Sequence, residues 1–135
     1  MSASESCSLV FDRTVCTTVQ ATKRASHSLM AQDHNIPYIT FFINLAPPPI
    51  SLNEASCGWD MTSGQVQPFA NYLATVVSHW KTDGINVAYI SPMNEPINNR
   101  RSCGQEGMGV SLFLRGSVFA AVKAALRNAS KAMSE

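Results

Sequence analysis

The chain has 135 residues, of which 45% are hydrophobic and only 14% are charged, and its formal net charge is +1. That length suits one domain with a substantial core, and the near-neutral charge excludes a basic nucleic-acid surface or a polybasic membrane contact. Residues 36–50 form the longest mostly apolar stretch, but four prolines interrupt it and it is shorter than the roughly 18 apolar residues of a transmembrane helix. Residues 1–6 lack the charged start and the apolar block of a signal peptide.

Helices and strands are predicted in alternation along the chain. Residues 1–16 show no sustained hydrophobic period, and we assign no element to them. The expected elements are then a helix at 17–32, a strand at 36–43, a helix at 65–81, a strand at 85–90 and a helix at 112–133. Such alternation indicates right-handed βαβ units and a parallel sheet.

The predicted loops are long after each strand and short after each helix. In proteins built from alternating strands and helices, the loops that leave the carboxyl ends of the strands carry the chemistry, while the opposite loops only turn the chain. Functional residues are therefore expected in residues 44–64 and 91–109.

The segment Ile90-Ser91-Pro92-Met93-Asn94-Glu95-Pro96 follows the second predicted strand. Prolines on both sides restrict the backbone, so Glu95 is presented in a fixed direction at little further entropic cost. A carboxylate in this place can exchange protons with a substrate, and Asn94 can donate to a hydroxyl group beside the reacting centre. The alternative is a solvated glutamate in a proline-bounded turn, and the Asn-Glu-Pro triplet alone does not decide between the two.

An Asn-Glu-Pro triplet after a strand resembles the acid/base motif of the clan of (β/α)8 retaining glycosidases. Phe42-Ile43-Asn44-Leu45-Ala46-Pro47-Pro48 resembles the segment after strand three of glycoside hydrolase family 30. Tyr72-Leu73-Ala74 and Gln105-Glu106-Gly107 fall in the order expected of that family. The likeness covers roughly residues 20–125 and is greatest to its fungal endo-β-1,6-galactanase-type members.

The resemblance implies an α/β fold, and more specifically part of a (β/α)8 barrel with about strands three and four and their flanking helices. Residues 17–135 would then form a partial glycosidase catalytic domain after the unassigned segment 1–16. A full barrel needs around 250 residues, and the family's nucleophilic glutamate lies near the end of the seventh strand, beyond the last residue here. The sequence therefore resembles a fragment that lacks the nucleophile.

The resemblance assigns Glu95 as the general acid/base and Asn94 as the contact to a substrate hydroxyl. Asn44, Trp59 and Glu106 are candidate substrate-binding residues. Trp59 lies in the first long loop, and a pyranose face packs well on an indole ring, although burial in the core is an equal alternative. Glu106 belongs to the Gln-Glu-Gly motif, which alternatively only shapes its loop.

Cys57 and Cys103 each begin a Cys-Gly pair in one of the two long loops. Loops after adjacent strands lie side by side at the top of a barrel, so a disulfide between these residues is expected as one outcome and free thiols as the other. A disulfide requires Cα atoms within about 7 Å and an oxidising compartment.

These features predict a retaining O-glycoside hydrolase that acts on a β-linked polysaccharide, of the endo-β-1,6-galactanase type, with no cofactor and no metal. The expected partner is the polysaccharide; nucleic acid and membrane are not expected, and the missing remainder of the barrel favours self-association. The family implies an extracellular location. The alternative is a truncated or degenerate homologue without catalysis that at most binds carbohydrate.

Overall fold

The computed structural model describes residues 38–55, 57–99, 103–104 and 106–132. The elements in these residues are, in chain order, β1 (Ile39–Phe42), β2 (Trp59–Asp60), α1 (Ser63–Thr82), β3 (Val87–Ser91), β4 (Met108–Gly109) and α2 (Leu112–Ala132). The unassigned segment 1–16 and the helix predicted at 17–32 lie outside the described residues, as do the first two residues of the strand predicted at 36–43.

β1 and β3 pair in parallel, with Ile39 opposite Val87 and Phe42 opposite Ser91. The backbone N–H of Ile43 continues the ladder by donating to the carbonyl of Ser91 at 3.0 Å. α1 connects the two strands, because parallel neighbours need a crossover of a dozen or more residues. The parallel pairing expected from the alternation of helices and strands is confirmed.

Both ends of α1 are fixed by hydrogen bonds that the sequence specifies. At the start, the backbone N–H of Thr62 donates to the side-chain oxygen of Gln65 at 3.1 Å. At the end, Gly84 adopts φ of 82° and donates to Lys81, while Ile85 donates to Trp80. This pair of bonds is a Schellman motif, in which a residue with positive φ stops the helix at little steric cost when it is glycine.

The core lies between the β1–β3 sheet and the two helices. Phe41 of β1 and Ile43, which follows β1, are buried, and the Phe41 ring meets the Trp80 ring with centroids 4.7 Å apart. α1 buries the apolar side that its sequence spacing predicts. In α2 the prediction holds only in part, because Phe113, which lies at the same helical spacing, is exposed. The buried helical residues are Val66, Phe69, Ala70, Leu73, Ala74, Val76 and Trp80 from α1, and Val118, Val122 and Ala125 from α2.

The opposite face of the sheet carries exposed aromatic side chains. Tyr38 and Tyr89 meet there with ring centroids 5.8 Å apart, and Phe42 lies on the same side of β1. In the part of the chain that the structure describes, β1–β3 and β2–β4 are two separate two-stranded sheets, and no barrel is closed. The described residues are thus a small α/β unit rather than a complete (β/α)8 barrel.

Candidate active site

Asn44 and Asn94 meet at the carboxyl ends of β1 and β3. Asn44 lies two residues after β1 and Asn94 three residues after β3. The side-chain nitrogen of Asn94 donates to the side-chain oxygen of Asn44 at 3.0 Å. Because the strands are parallel and adjacent, their carboxyl ends lie at one edge of the sheet, and two of the predicted site residues are brought into direct contact there.

Glu106 joins this pair from the end of the second long loop. The side-chain nitrogen of Asn44 contacts the Glu106 carboxylate at 3.5 Å, which is long for a hydrogen bond. Asn44 is therefore the middle member of a polar row that runs from Asn94 to Glu106. The row places three of the predicted site residues together, and it fixes which amide atoms of Asn44 act as donor and acceptor.

Glu95 follows Asn94 in an unusual backbone conformation. Its side chain is exposed, and its φ is 42°, in the left-handed region that few residues other than glycine occupy. The carbonyl of Glu95 accepts from the N–H of Asn98 at 2.9 Å, which closes a tight turn over Pro96. The carboxyl group is thus carried on a short, hydrogen-bonded turn directly after the strand end.

The two long loops contain a second, very short sheet that the sequence analysis did not predict. β2 and β4 pair in parallel, with Trp59 opposite Met108 and Asp60 opposite Gly109. The N–H of Met61 donates to the carbonyl of Gly109 at 2.8 Å. A strand of two residues is too short to show alternating hydrophobicity, so periodicity carries no signal for it.

Two further links hold the same loops together. Cys57 and Cys103 form a disulfide with Cα atoms 5.4 Å apart, inside the distance that the sequence analysis required. Next to it, the N–H of Gly58 donates to the carbonyl of Asn99 at 2.6 Å. The first long loop is therefore bound covalently and by backbone hydrogen bonds to the loop that carries Glu95.

Trp59 is a core residue in this structure. Only 4% of its surface is exposed, and its indole N–H has no hydrogen-bond partner within the described residues. A ring that binds sugar must present a face to solvent. The burial of Trp59 contradicts the prediction that it stacks against a sugar, because its ring faces are used in packing against the core.

Sequence reasoning did not single out Asn99. Its side-chain nitrogen donates to both carboxylate oxygens of Asp60, at 3.1 and 3.2 Å. An asparagine in a polar loop gives no sequence signal for such a contact, since its partner is 39 residues away. The contact becomes visible only when the disulfide and the β2–β4 pair bring the two loops together.

The described residues hold no group of three or more His, Cys, Asp and Glu side chains placed to bind a metal ion. Acidic residues are nevertheless concentrated in the two long loops, at Glu54, Asp60, Glu95 and Glu106. Basic residues of the described ranges lie on the helices, at Lys81, Arg115, Lys123, Arg127 and Lys131, and the sequence of the second long loop also contains Arg100 and Arg101, which lie outside the described residues. Neither described helix is long and apolar enough to cross a membrane.

Active sites of (β/α)8 barrel enzymes lie at the carboxyl ends of the strands, and Asn44, Asn94 and Glu95 lie at that end of β1 and β3. The family model described as O-Glycosyl hydrolase family 30 matches residues 21–133. The match covers most of the chain, so the protein belongs to glycoside hydrolase family 30. No curated protein and no solved structure matches the chain.

Proposed function

We propose that the chain carries the acid/base part of a retaining O-glycoside hydrolase site for a β-linked polysaccharide, with β-1,6-galactan as the substrate class. In this proposal Glu95 is the general acid/base, and Asn94 contacts a substrate hydroxyl beside the scissile bond. Family membership supports a glycoside hydrolase with a carbohydrate substrate. The galactan specificity rests on the resemblance of roughly residues 20–125 to endo-β-1,6-galactanase-type members.

The hydrogen bond from Asn94 to Asn44 is the observation that carries the proposal. It holds the Asn94 amide, one residue before Glu95, at the carboxyl end of the sheet. Enzymes with (β/α)8 folds bind their substrates at that end, which supports the proposal. The hydrogen bond also orients Asn94, because one of the two amide hydrogens is used by Asn44. The second amide hydrogen is then directed away from Asn44 and can donate to a sugar hydroxyl.

The chemistry assigned to Glu95 consists of two proton transfers. In the first step its carboxylic acid protonates the glycosidic oxygen while that oxygen leaves the anomeric carbon, and a second carboxylate takes its place on the carbon. In the second step the Glu95 carboxylate removes a proton from water, whose oxygen displaces the enzyme carboxylate from the sugar. Retention requires the two carboxyl groups to be about 5–5.5 Å apart.

A carboxylate beside the reacting carbon supports this chemistry. The transition state of glycoside hydrolysis has oxocarbenium character and carries positive charge on the sugar. Carboxylates placed in advance around the site stabilise such charge without reorganisation. Glu95 and Glu106 lie on the loop that follows β3, and Glu54 and Asp60 lie on the loop that follows β1.

We further propose that the nucleophile is not among the described acidic residues. Asp60 is engaged by Asn99, Glu106 faces Asn44, and Asp83 ends α1 at the opposite side of the sheet. The family places its nucleophile at the end of a seventh strand, whereas β1 and β3 correspond to two strands of the barrel. A non-catalytic homologue that only binds carbohydrate is the second candidate.

Titration of the full chain with a β-1,6-linked galacto-oligosaccharide, followed by amide NMR, tests the binding half of the proposal. We expect weak binding, roughly 1–10 mM, with the largest shifts at Asn44, Asn94 and Glu95, since an incomplete site contacts few groups of the ligand. Asn94→Ala should weaken binding, whereas the control Asn71→Ala, on the exposed side of α1, should not. Shifts confined to other residues, or equal binding by Asn94→Ala, would contradict the proposal.

A further inference from the structure

The Asp60 carboxylate lies directly against the backbone of Gly109, with Asn99 beside it. A Cβ atom built on Gly109 would lie 1.9 Å from Asp60 Oδ1 and 3.3 Å from the Cβ of Asn99. An added Cβ would force the Asp60 carboxylate to move, so glycine at this position allows the Asp60–Asn99 pair to close over β4. We call Asp60, Asn99 and Gly109 the cross-loop clamp.

The clamp holds the turn that carries Glu95. Asn99 is four residues after Glu95, and its backbone carbonyl accepts from Gly58 at 2.6 Å while its side chain donates to Asp60. One residue after Glu95, the carbonyl of Pro96 accepts from the N–H of Val110 at 2.8 Å. The turn is therefore bound to residues next to β2 on one side and to the residue after β4 on the other.

Glu95 needs such support because its backbone conformation is unfavourable for a residue with a side chain. A non-glycine residue with φ of 42° persists only where its surroundings determine the conformation. The bond from Asn98 to Glu95 closes the turn but is local to it. The clamp and the Val110 bond connect the turn to the rest of the described structure.

We propose that Asn99, acting through Asp60, is a positioning residue that holds Glu95 in its left-handed conformation. It thereby sets the direction of the Glu95 carboxyl group relative to the Asn94 amide. The inference rests on the proposed function in one respect. The direction of the Glu95 carboxyl group matters for catalysis only because Glu95 is proposed as the general acid/base. The clamp itself is defined by the contacts among Asp60, Asn99 and Gly109.

An exchange of donor and acceptor tests the role of Asn99 in the full chain. Asn99→Asp places two carboxylates face to face and removes the donor. The double variant Asp60→Asn/Asn99→Asp restores the pair, with the amide now on residue 60 and the carboxylate on residue 99. The readouts are the intraresidue NOE between the amide proton and Hα of Glu95, which is strong only at positive φ, and hydrogen exchange of the Val110 amide.

In Asn99→Asp we expect a weaker Glu95 NOE and exchange at Val110 that is about tenfold faster, because a charge-assisted hydrogen bond is lost. The double variant should recover the strong NOE and lie within about twofold of the wild-type exchange rate. The control Asn86→Ala changes an exposed asparagine just before β3 and should alter neither signal.

An unchanged Glu95 NOE in Asn99→Asp would overturn the proposal, as would a double variant that does not recover. If Asn99→Asp fails to fold, the double variant still decides, because a folded double variant with a strong Glu95 NOE requires the exchanged pair. Titration of the wild-type chain with a β-1,6-linked galacto-oligosaccharide separates this inference from the proposed function. If the wild-type chain does not bind the oligosaccharide, the proposed function is contradicted, but the Glu95 signals and the role of Asn99 are unaffected.

Discussion

The Asn94 side chain donates to the Asn44 side chain across 3.0 Å, and this bond joins the loops that follow the two strands of the main sheet. The same Asn44 amide faces Glu106 through its nitrogen, at 3.5 Å. Asn44 thus accepts a hydrogen bond from Asn94 and also lies close to Glu106. Substituting Asn44 therefore removes the contacts to Asn94 and Glu106 but none of the groups to which we assign a catalytic role.

Asn44→Ala is expected to weaken binding of a β-1,6-linked galacto-oligosaccharide about fivefold. The variant leaves Asn94 without its acceptor, and a hydrogen bond of this kind contributes about 1 kcal/mol. The dissociation constants of wild type and variant, measured by amide NMR titration, check this. Asn71→Ala serves as the control, because Asn71 is an exposed asparagine of α1. Equal affinity of Asn44→Ala and wild type would show that Asn44 does not orient the site.

The disulfide is expected to contribute about 4 kcal/mol to the free energy of unfolding. Cys57 and Cys103 are 46 residues apart, and closing a loop of that length restricts the unfolded chain by about this amount in the chain-entropy description. Cys57→Ala/Cys103→Ala should show the loss in urea unfolding followed by circular dichroism. Cys57→Ala alone should lose a similar amount, since one cysteine cannot close the link. A loss below about 1 kcal/mol would mean that the unfolded chain is already restricted without the bond.

Gly109→Ala and Gly116→Ala are a matched pair with opposite expected effects. A methyl group on Gly109 would collide with Asp60, so we expect a loss of about 1–3 kcal/mol in stability. Gly116 is in α2 with no atom within 4 Å of an added Cβ, so alanine there should stabilise by about 0.5–1 kcal/mol. Urea unfolding measures both. Equal effects of the two substitutions would contradict the close approach of Asp60 to Gly109.

Phe69 and Phe113 allow a buried and an exposed phenylalanine to be compared for their effects on stability. Phe69 of α1 is fully buried, whereas Phe113 of α2 is 97% exposed. Phe69→Ala should destabilise by about 3–5 kcal/mol through lost burial and a residual cavity. Phe113→Ala should change stability by less than about 0.5 kcal/mol. If the Phe113 variant proved the more destabilising in urea unfolding, the assignment of the buried side of the helices would be wrong.

The sequence predicted the elements whose signals are local and periodic. The helix expected at 65–81 is observed as Ser63–Thr82, and Gly84 follows it with a φ of 82°. The strand expected at 85–90 is observed as Val87–Ser91, and its parallel partner is the strand that begins at Ile39. These elements are recognisable because apolar residues recur at helical spacing or in short β-branched runs.

The features that sequence reasoning missed depend on contacts between distant residues. β2 and β4 have two residues each, and Asn99 acquires its role only beside Asp60. For Trp59 the prediction was wrong in a different way. Its place in a long loop suggested an exposed ring, but the residue lies in β2 and is buried. The positive φ of Glu95 also has no local signal, since a glutamate before proline does not favour that conformation.

The chain of 135 residues is expected not to hydrolyse β-1,6-galactan at a useful rate. A general acid alone contributes about 10²–10⁴-fold, and retaining hydrolysis also requires covalent capture of the anomeric carbon by a second carboxylate. The measurement is the release of reducing ends from β-1,6-galactan, with Glu95→Gln as the control, because glutamine keeps the shape of the side chain and cannot transfer the proton. Neither wild type nor Glu95→Gln should release a detectable amount of reducing ends above the buffer control. Robust activity that disappears in Glu95→Gln would contradict this prediction and would place the nucleophile within the chain, with Glu54, Asp60 and Glu106 as the first carboxylates to substitute.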